Sequence, residues 1–260
     1  MVKDLKDQYG IILGGSSGLG YASALKLAAH GMNLIILYRA SRLQQPYIED
    51  KFQSLRNHGI DLLVLNIDAA REENITKAIT DIKSFINTHK VNLLLHSISK
   101  GNLKPMTGNQ VLNTGDFQQT VHSMGISLYS WVAQLYDTKL FAKPARVISF
   151  TSEGSRKPMI GYAAVSAAKS VLESITRSIA LEFAREQITA NCIQAGVTDT
   201  ESLKRIPGYE ELKGASLKRN PYSRLTDPKD VADAVYLLAR SESQWITGNV
   251  IKVDGGESLQ

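Results

Sequence analysis

Ser152, Tyr162 and Lys169 stand close together in the stretch Ser149–Glu173, S-F-T-S-E-G-S-R-K-P-M-I-G-Y-A-A-V-S-A-A-K-S-V-L-E. A phenol beside an ammonium can donate a proton near neutral pH, because the positive charge stabilises the phenolate and lowers the phenol pKa from about 10. Tyr162 and Lys169 are seven residues apart, which on a helix places them on one face, two turns from each other. A tyrosine and a lysine on an ordinary helix surface would show the same spacing, so the surrounding elements decide between the two. The apolar run from Arg146 to Phe150 predicts a buried strand ahead of the pair. The apolar spacing from Ala163 to Ala184 predicts a long helix behind it.

The chain opens on a strand, a glycine loop and a helix. Tyr9-Gly10-Ile11-Ile12-Leu13 is apolar, Gly14-Gly15-Ser16-Ser17-Gly18-Leu19-Gly20 follows, and a helical pattern runs to His30. Glycines let a backbone approach a pyrophosphate, and a helix N-terminus favours its charge. In this context the G-x-x-x-G-x-G spacing points to a dinucleotide. The second strand, Asn33 to Tyr38, runs into Arg39-Ala40-Ser41-Arg42. That strand end faces the adenosine ribose in such a site. An acidic residue there would bind the 2′-hydroxyl, whereas Arg39, Ser41 and Arg42 suit a 2′-phosphate, so NADPH is expected over NADH.

Further along, Pro46 to His58 reads as a helix and Leu62 to Ile67 as a strand. Asp68 at its end is expected to accept from the adenine amino group. A helix from Glu72 to Asn87, a strand from Val91 to His96 and one long helix within Asp116 to Phe141 come next. Thr189 to Gln194 is a strand leading to Ala195-Gly196-Val197-Thr198-Asp199-Thr200, a second loop along the cofactor. Glu201 to Arg224 mixes Pro, Gly and charges and is expected to be mobile. Asp227-Pro228 caps a helix running through Arg240, and Val250 to Val253 is the last strand. Strands alternating with helices predict one α/β domain over residues 1–260, a Rossmann-type doubly wound parallel sheet of about seven strands with helices on both faces.

Composition is that of a globular protein, 43% apolar and 21% charged. No apolar run approaches the ~20 residues of a membrane span. The opening M-V-K-D-L-K-D-Q has no apolar core of a signal peptide, so the cytoplasm is expected. The single cysteine, Cys192, excludes an internal disulfide and a cysteine-based zinc site, and is expected to be a packing residue. Net charge is +5, yet no stretch of Lys and Arg is dense enough for a nucleic-acid stripe. An acidic or phosphate-bearing partner remains.

Taken together, Gly14, Gly18, Gly20, Ser152, Lys169 and the ending G-N-V-I-K-V-D-G-G resemble the short-chain dehydrogenase/reductase superfamily over nearly the whole chain. Its usual Tyr-x-x-x-Lys motif would put the tyrosine at position 165. Here Val165 stands there and Tyr162 lies one turn earlier. His96-Ser97-Ile98 replaces the usual Asn-Asn-Ala-Gly run. Both departures resemble the enoyl-acyl-carrier-protein reductase branch, as do I-S-L-Y-S-W-V-A from Ile126 and A-G-V-T-D-T from Ala195. Ser127 occupies the place of the superfamily's catalytic asparagine, a replacement that branch shares. Many enoyl reductases carry a second tyrosine where Ser152 stands; serine there also fits ketoreductases and some NADPH-dependent enoyl reductases. The literal matches Tyr47-x-x-x-Lys51 and Tyr209-x-x-x-Lys213 do not follow the fifth strand and are set aside as chance.

The resemblance implies a cofactor bed along Gly14, Ser16, Ser17, Gly18, Leu19 and Gly20, then Arg39, Ser41, Arg42, Asp68 and Ala69, then Ser97, Ile98 and Lys169, and finally Gly196, Thr198 and Thr200. It implies a homotetramer, an acyl substrate carried on acyl carrier protein or CoA, and no metal. In this superfamily the segment at about 198–224 covers the substrate, and its Lys204, Arg205, Lys213, Lys218 and Arg219 suit an acidic carrier. The rivals are a 3-oxoacyl or other ketone reductase of the same fold and a non-catalytic NADP-binding regulatory protein. The basic strand end yields a direct expectation: KM for NADPH is well below KM for NADH, and a clear NADH preference would contradict it.

Overall fold

The computed structural model describes residues 3–206 and 208–260. Its centre is a seven-stranded parallel sheet in the order β3-β2-β1-β4-β5-β6-β7. The strands are β1 (Tyr9–Leu13), β2 (Asn33–Tyr38), β3 (Leu62–Asn66), β4 (Val91–His96), β5 (Phe141–Ser152), β6 (Ile188–Ala195) and β7 (Val250–Val253). The helices are α1 (Gly18–Ala29), α2 (Gln45–Arg56), α3 (Glu72–Ile86), α4 (Thr114–Val121), α5 (Ser127–Asp137), α6 (Ala163–Glu182), α7 (Tyr209–Arg219) and α8 (Pro228–Ala239).

Alternation along the strands divides the core in two. Ile11, Leu13, Ile35, Leu37, Leu94 and Val147 point to the side of α3, α5 and α6. Ile12, Leu34, Ile36, Leu93, Leu95 and Ile148 point to the side of α1, α2 and α8. Burial on both faces is why these strands read as continuous apolar runs. Strand order reverses between β1 and β4, and such a switch point opens a crevice at the carboxyl ends of the strands. Among the described residues no helix is long and apolar enough to cross a membrane.

Two expectations need correction. The single helix expected within Asp116 to Phe141 is divided by a π-helical turn, His122–Ile126, and Phe141 opens β5. The turn lets the chain pass close to α6: a Cβ on Gly125 would lie 3.0 Å from the Ala168 carbonyl. It also carries the hydroxyl of Ser123 to the Lys100 carbonyl. The stretch 201–224 is partly helical. It holds a short turn, Leu203–Arg205, and α7, while Pro207 lies outside the described residues.

Trp131 shows how α5 is pinned to the sheet. It is fully buried, and its indole Nε1–H donates to the Ala69 carbonyl at 2.8 Å. Trp131→Ala should cost about 3–5 kcal/mol, read as a lowered urea midpoint. A loss below about 1 kcal/mol would contradict this packing.

Candidate active site

Three consecutive residues at the end of β5 are tied to α6. The Phe150 carbonyl accepts from Lys169 Nζ at 2.6 Å. The Thr151 hydroxyl donates to Glu173 at 2.6 Å. The Ser152 hydroxyl meets the Tyr162 hydroxyl at 3.3 Å. One step back, Ser149 Oγ lies 3.3 Å from Thr176 Oγ1. Successive strand residues face opposite ways, so backbone and side-chain groups both take part.

Ser152, Tyr162 and Lys169 thereby line one cavity of ≈ 220 Å³, with Leu103, Met124, Met159 and Ile206 among its apolar walls. Tyr162 is not inside the helix as the seven-residue spacing implied. It is the N-cap residue of α6, at the end of the helix that favours negative charge. The expected lowering of its pKa by Lys169 is also absent. Burial pushes the phenol pKa up, opposed by the hydrogen bond from Ser152. Burial holds the Lys169 ammonium down at about 8, with Cys192 and Glu173 opposing. Val165 faces the same cavity and packs against Gly101, where a Cβ would lie 2.7 Å from Val165 Cγ2 and 2.8 Å from Met124 Sδ.

Beneath this group lies His96, fully buried at the end of β4. Its Nε2 is 2.9 Å from the Ser127 hydroxyl, which itself donates to the Ser123 carbonyl at 2.8 Å. Nε2–H therefore donates, and Nδ1 is left without a partner. Burial first, then the Lys169 charge, drive the His96 pKa down to about 3. Cys192 is buried between Ser149 and Thr176, as a packing residue would be.

The glycine loop forms a cradle at the switch point. Gly14 has φ +91, and a Cβ there would run into the Ser97 carbonyl. Gly18 has φ +53 and only the Thr200 side chain within 4 Å of its missing Cβ. Ser17 makes no side-chain cap on α1, whose first turn has no acidic residue. An open, uncapped helix start of this kind fits a pyrophosphate. Ser16 and Leu19 belong to the same loop, and Leu19, Gly196, Thr198 and Thr200 line the cavity with the three central side chains. Thr198 also bridges to Thr226.

The surroundings of Asp68 at the ends of β2 and β3 are more crowded than expected. Asp68 accepts from the Ala70 N–H, from Lys100 Nζ at 3.2 Å and from Arg39 at 3.4 Å. Burial raises its pKa, but these partners outweigh burial and leave it below the usual carboxylate value. Ser41 is occupied with Gln44, Arg42 is exposed, and Ala69 is buried against Trp131.

Several residues around the site escaped the sequence. Lys51, set aside as half of a chance Tyr-x-x-x-Lys pair, lies against the glycine loop: its Nζ donates to the Ser16 carbonyl at 3.4 Å, between the rings of Tyr21 and Tyr47. Lys100 and Glu173 gave no local signal. The basic set beyond Thr200 is largely neutralised. Lys204 pairs with Glu201, Lys213 with Asp199, and Arg219 turns inward to Glu153 and Glu257.

Residues 14–258 match a family model described as enoyl-(acyl carrier protein) reductase. A 3-oxoacyl-[acyl-carrier-protein] reductase of Bos taurus is 29% identical over 97% of this chain and 99% of its own. One of Aggregatibacter actinomycetemcomitans is 28% identical over 95% of this chain and 97% of its own. An enoyl-[acyl-carrier-protein] reductase (NADH) structure from Aquifex aeolicus VF5 shares the fold, with a TM-score of 0.85 at 23% identity over 98% of both chains.

The buried imidazole makes stability depend on acid. Between the unfolded value of 6.5 and the folded value of about 3, the unfolded chain binds a proton that folded His96 does not. Stability therefore falls as pH drops through that window. The melting temperature should decline from pH 7 to pH 4, and His96→Gln should flatten the decline. An unchanged slope in that variant would contradict a neutral buried His96.

Proposed function

Because this chain belongs to the short-chain dehydrogenase/reductase family of oxidoreductases, we propose that it reduces the 2,3 double bond of trans-2-enoyl thioesters with NADPH, the acyl group riding on an acyl carrier protein or CoA. The observation that carries this reading is the place of the phenol. Tyr162 meets Ser152 on the wall that Lys169 also lines, while Val165, which carries no proton donor, faces the same cavity at the position of the family's usual tyrosine.

NADPH, when bound, supplies the hydride. Reduction of a ketone puts hydride and proton on the two atoms of one carbonyl. Conjugate reduction puts hydride on C3, and charge develops on the C1 oxygen three bonds away, before C2 is protonated. The acid must then stand farther off. Tyr162, the N-cap three residues before position 165, stands roughly 4.5 Å back along the α6 axis at ~1.5 Å per residue. Tyr162 donates a hydrogen bond to the developing enolate oxygen, a stabilisation of about 3 kcal/mol for a well-placed donor. Ser152 holds that hydroxyl in place between turnovers. Lys169 binds the nicotinamide ribose and lends its charge. Leu103, Met124, Met159 and Ile206 receive the acyl chain. Arg39, Arg42 and Lys51 favour the 2′-phosphate.

A second reading has its own support. The relatives of Bos taurus and Aggregatibacter actinomycetemcomitans are 3-oxoacyl reductases, matched over nearly their full length, and Ser152 suits that chemistry. A substrate panel decides. Enoyl thioesters should turn over with NADPH far faster than 3-oxoacyl thioesters of equal length, and the reverse order establishes the ketone reductase. Tyr162→Phe should lower kcat by about 10²-fold or more with little change in NADPH affinity. Lys169→Met should weaken NADPH binding instead.

A further inference from the structure

Within 201–224, one side chain of α7 reaches two carboxylates of the cavity wall. Arg219, at the end of α7, sends Nη1 and Nη2 to the two oxygens of Glu153 at 3.1 and 2.9 Å, and Nη2 also to Glu257 at 2.7 Å. Glu257 is 3% exposed. It accepts the Ser216 hydroxyl at 2.7 Å and the Val197 N–H at 3.0 Å. Glu153 follows Ser152 directly, Val197 lies in the loop after β6, and Ser216 is on α7.

Arg219 thereby joins Glu153 to Glu257, and Glu257 in turn holds Ser216 and the Val197 loop. A planar fork can serve two carboxylates at once, which an ammonium does less well. Removing the cation leaves Glu257 buried without its counter-charge, and Glu153 with only Lys157 at 3.7 Å. Truncating one member of a buried, hydrogen-bonded charge set is costly for this reason. Arg219 is thus withdrawn from the basic surface that the sequence assigned to a carrier protein.

We propose that Arg219 is a positioning residue for the reaction: through Glu153 and Glu257 it holds α7 over the cavity and sets the Ser152 turn against the Val197 loop. The inference takes the cavity as the site of reduction, but not which thioester is reduced. The test uses the full-length chain and Arg219→Met, Arg219→Lys and Glu153→Gln variants. Tryptic cleavage at Lys213 and Lys218, on α7, should quicken about tenfold in Arg219→Met, and KM for whichever thioester the wild type reduces should rise about tenfold while kcat changes less. Arg219→Lys, which keeps charge without the fork, should fall between the two. Glu153→Gln, which leaves the Arg219–Glu257 pair intact, covers the case in which Arg219→Met does not fold, and it should speed cleavage about threefold. Wild-type cleavage rates in the folded variants overturn the proposal. So does a KM unchanged in Arg219→Met. If neither thioester turns over, the proposed function fails while the cleavage rates still decide the role of Arg219.

Discussion

The site depends on the registration of β5 against α6. Phe150, Thr151 and Ser152 are consecutive, and each is bound to a different residue of α6 or its cap: Lys169, Glu173 and Tyr162. A slip of one residue would turn Thr151 and Ser152 to the wrong sides of the strand. It would also detach Lys169 from the Phe150 carbonyl. The cavity walls, the glycine loop and α7 are arranged around a phenol and an ammonium whose separation this contact sets.

Burial does the electrostatic work. The same apolar surroundings raise the Tyr162 phenol, lower the Lys169 ammonium to about 8 and keep His96 neutral. A cluster of this kind holds its charges at a cost, so each group is held by a neighbour: Lys169 by a carbonyl, Glu173 by Thr151, His96 by Ser127. Only His96 Nδ1 lacks a partner in this set. A high phenol pKa keeps Tyr162 protonated, which is the form a hydrogen-bond donor needs.

Local patterns carried most of the fold. Apolar runs marked β1, β2, β4 and β7 to the residue, the first three of them buried on both faces, and Gly14, Gly18 and Gly20 located the cradle because positive φ and close approach leave no room for other residues. What local pattern could not carry was distance across the fold. The π-helical turn at His122–Ile126 answers to the approach of α6, not to its own composition. Arg219 ties α7 to Glu153 and Glu257, 66 and 38 residues away. Lys51 looked like half of a chance motif until α2 folded beside Ser16. The sign of the Tyr162 shift has a related cause: spacing alone puts Lys169 near, while in the fold burial dominates and the ammonium goes to Phe150.

The proposed function turns on whether Tyr162 reaches the oxygen of the thioester. A crystal structure of the protein with NADP⁺ and an enoyl thioester tests this most directly. The account predicts Tyr162 Oη within hydrogen-bond distance of the thioester oxygen and Lys169 Nζ on the nicotinamide ribose. A Tyr162 hydroxyl turned away, with another acid contacting that oxygen, would contradict it.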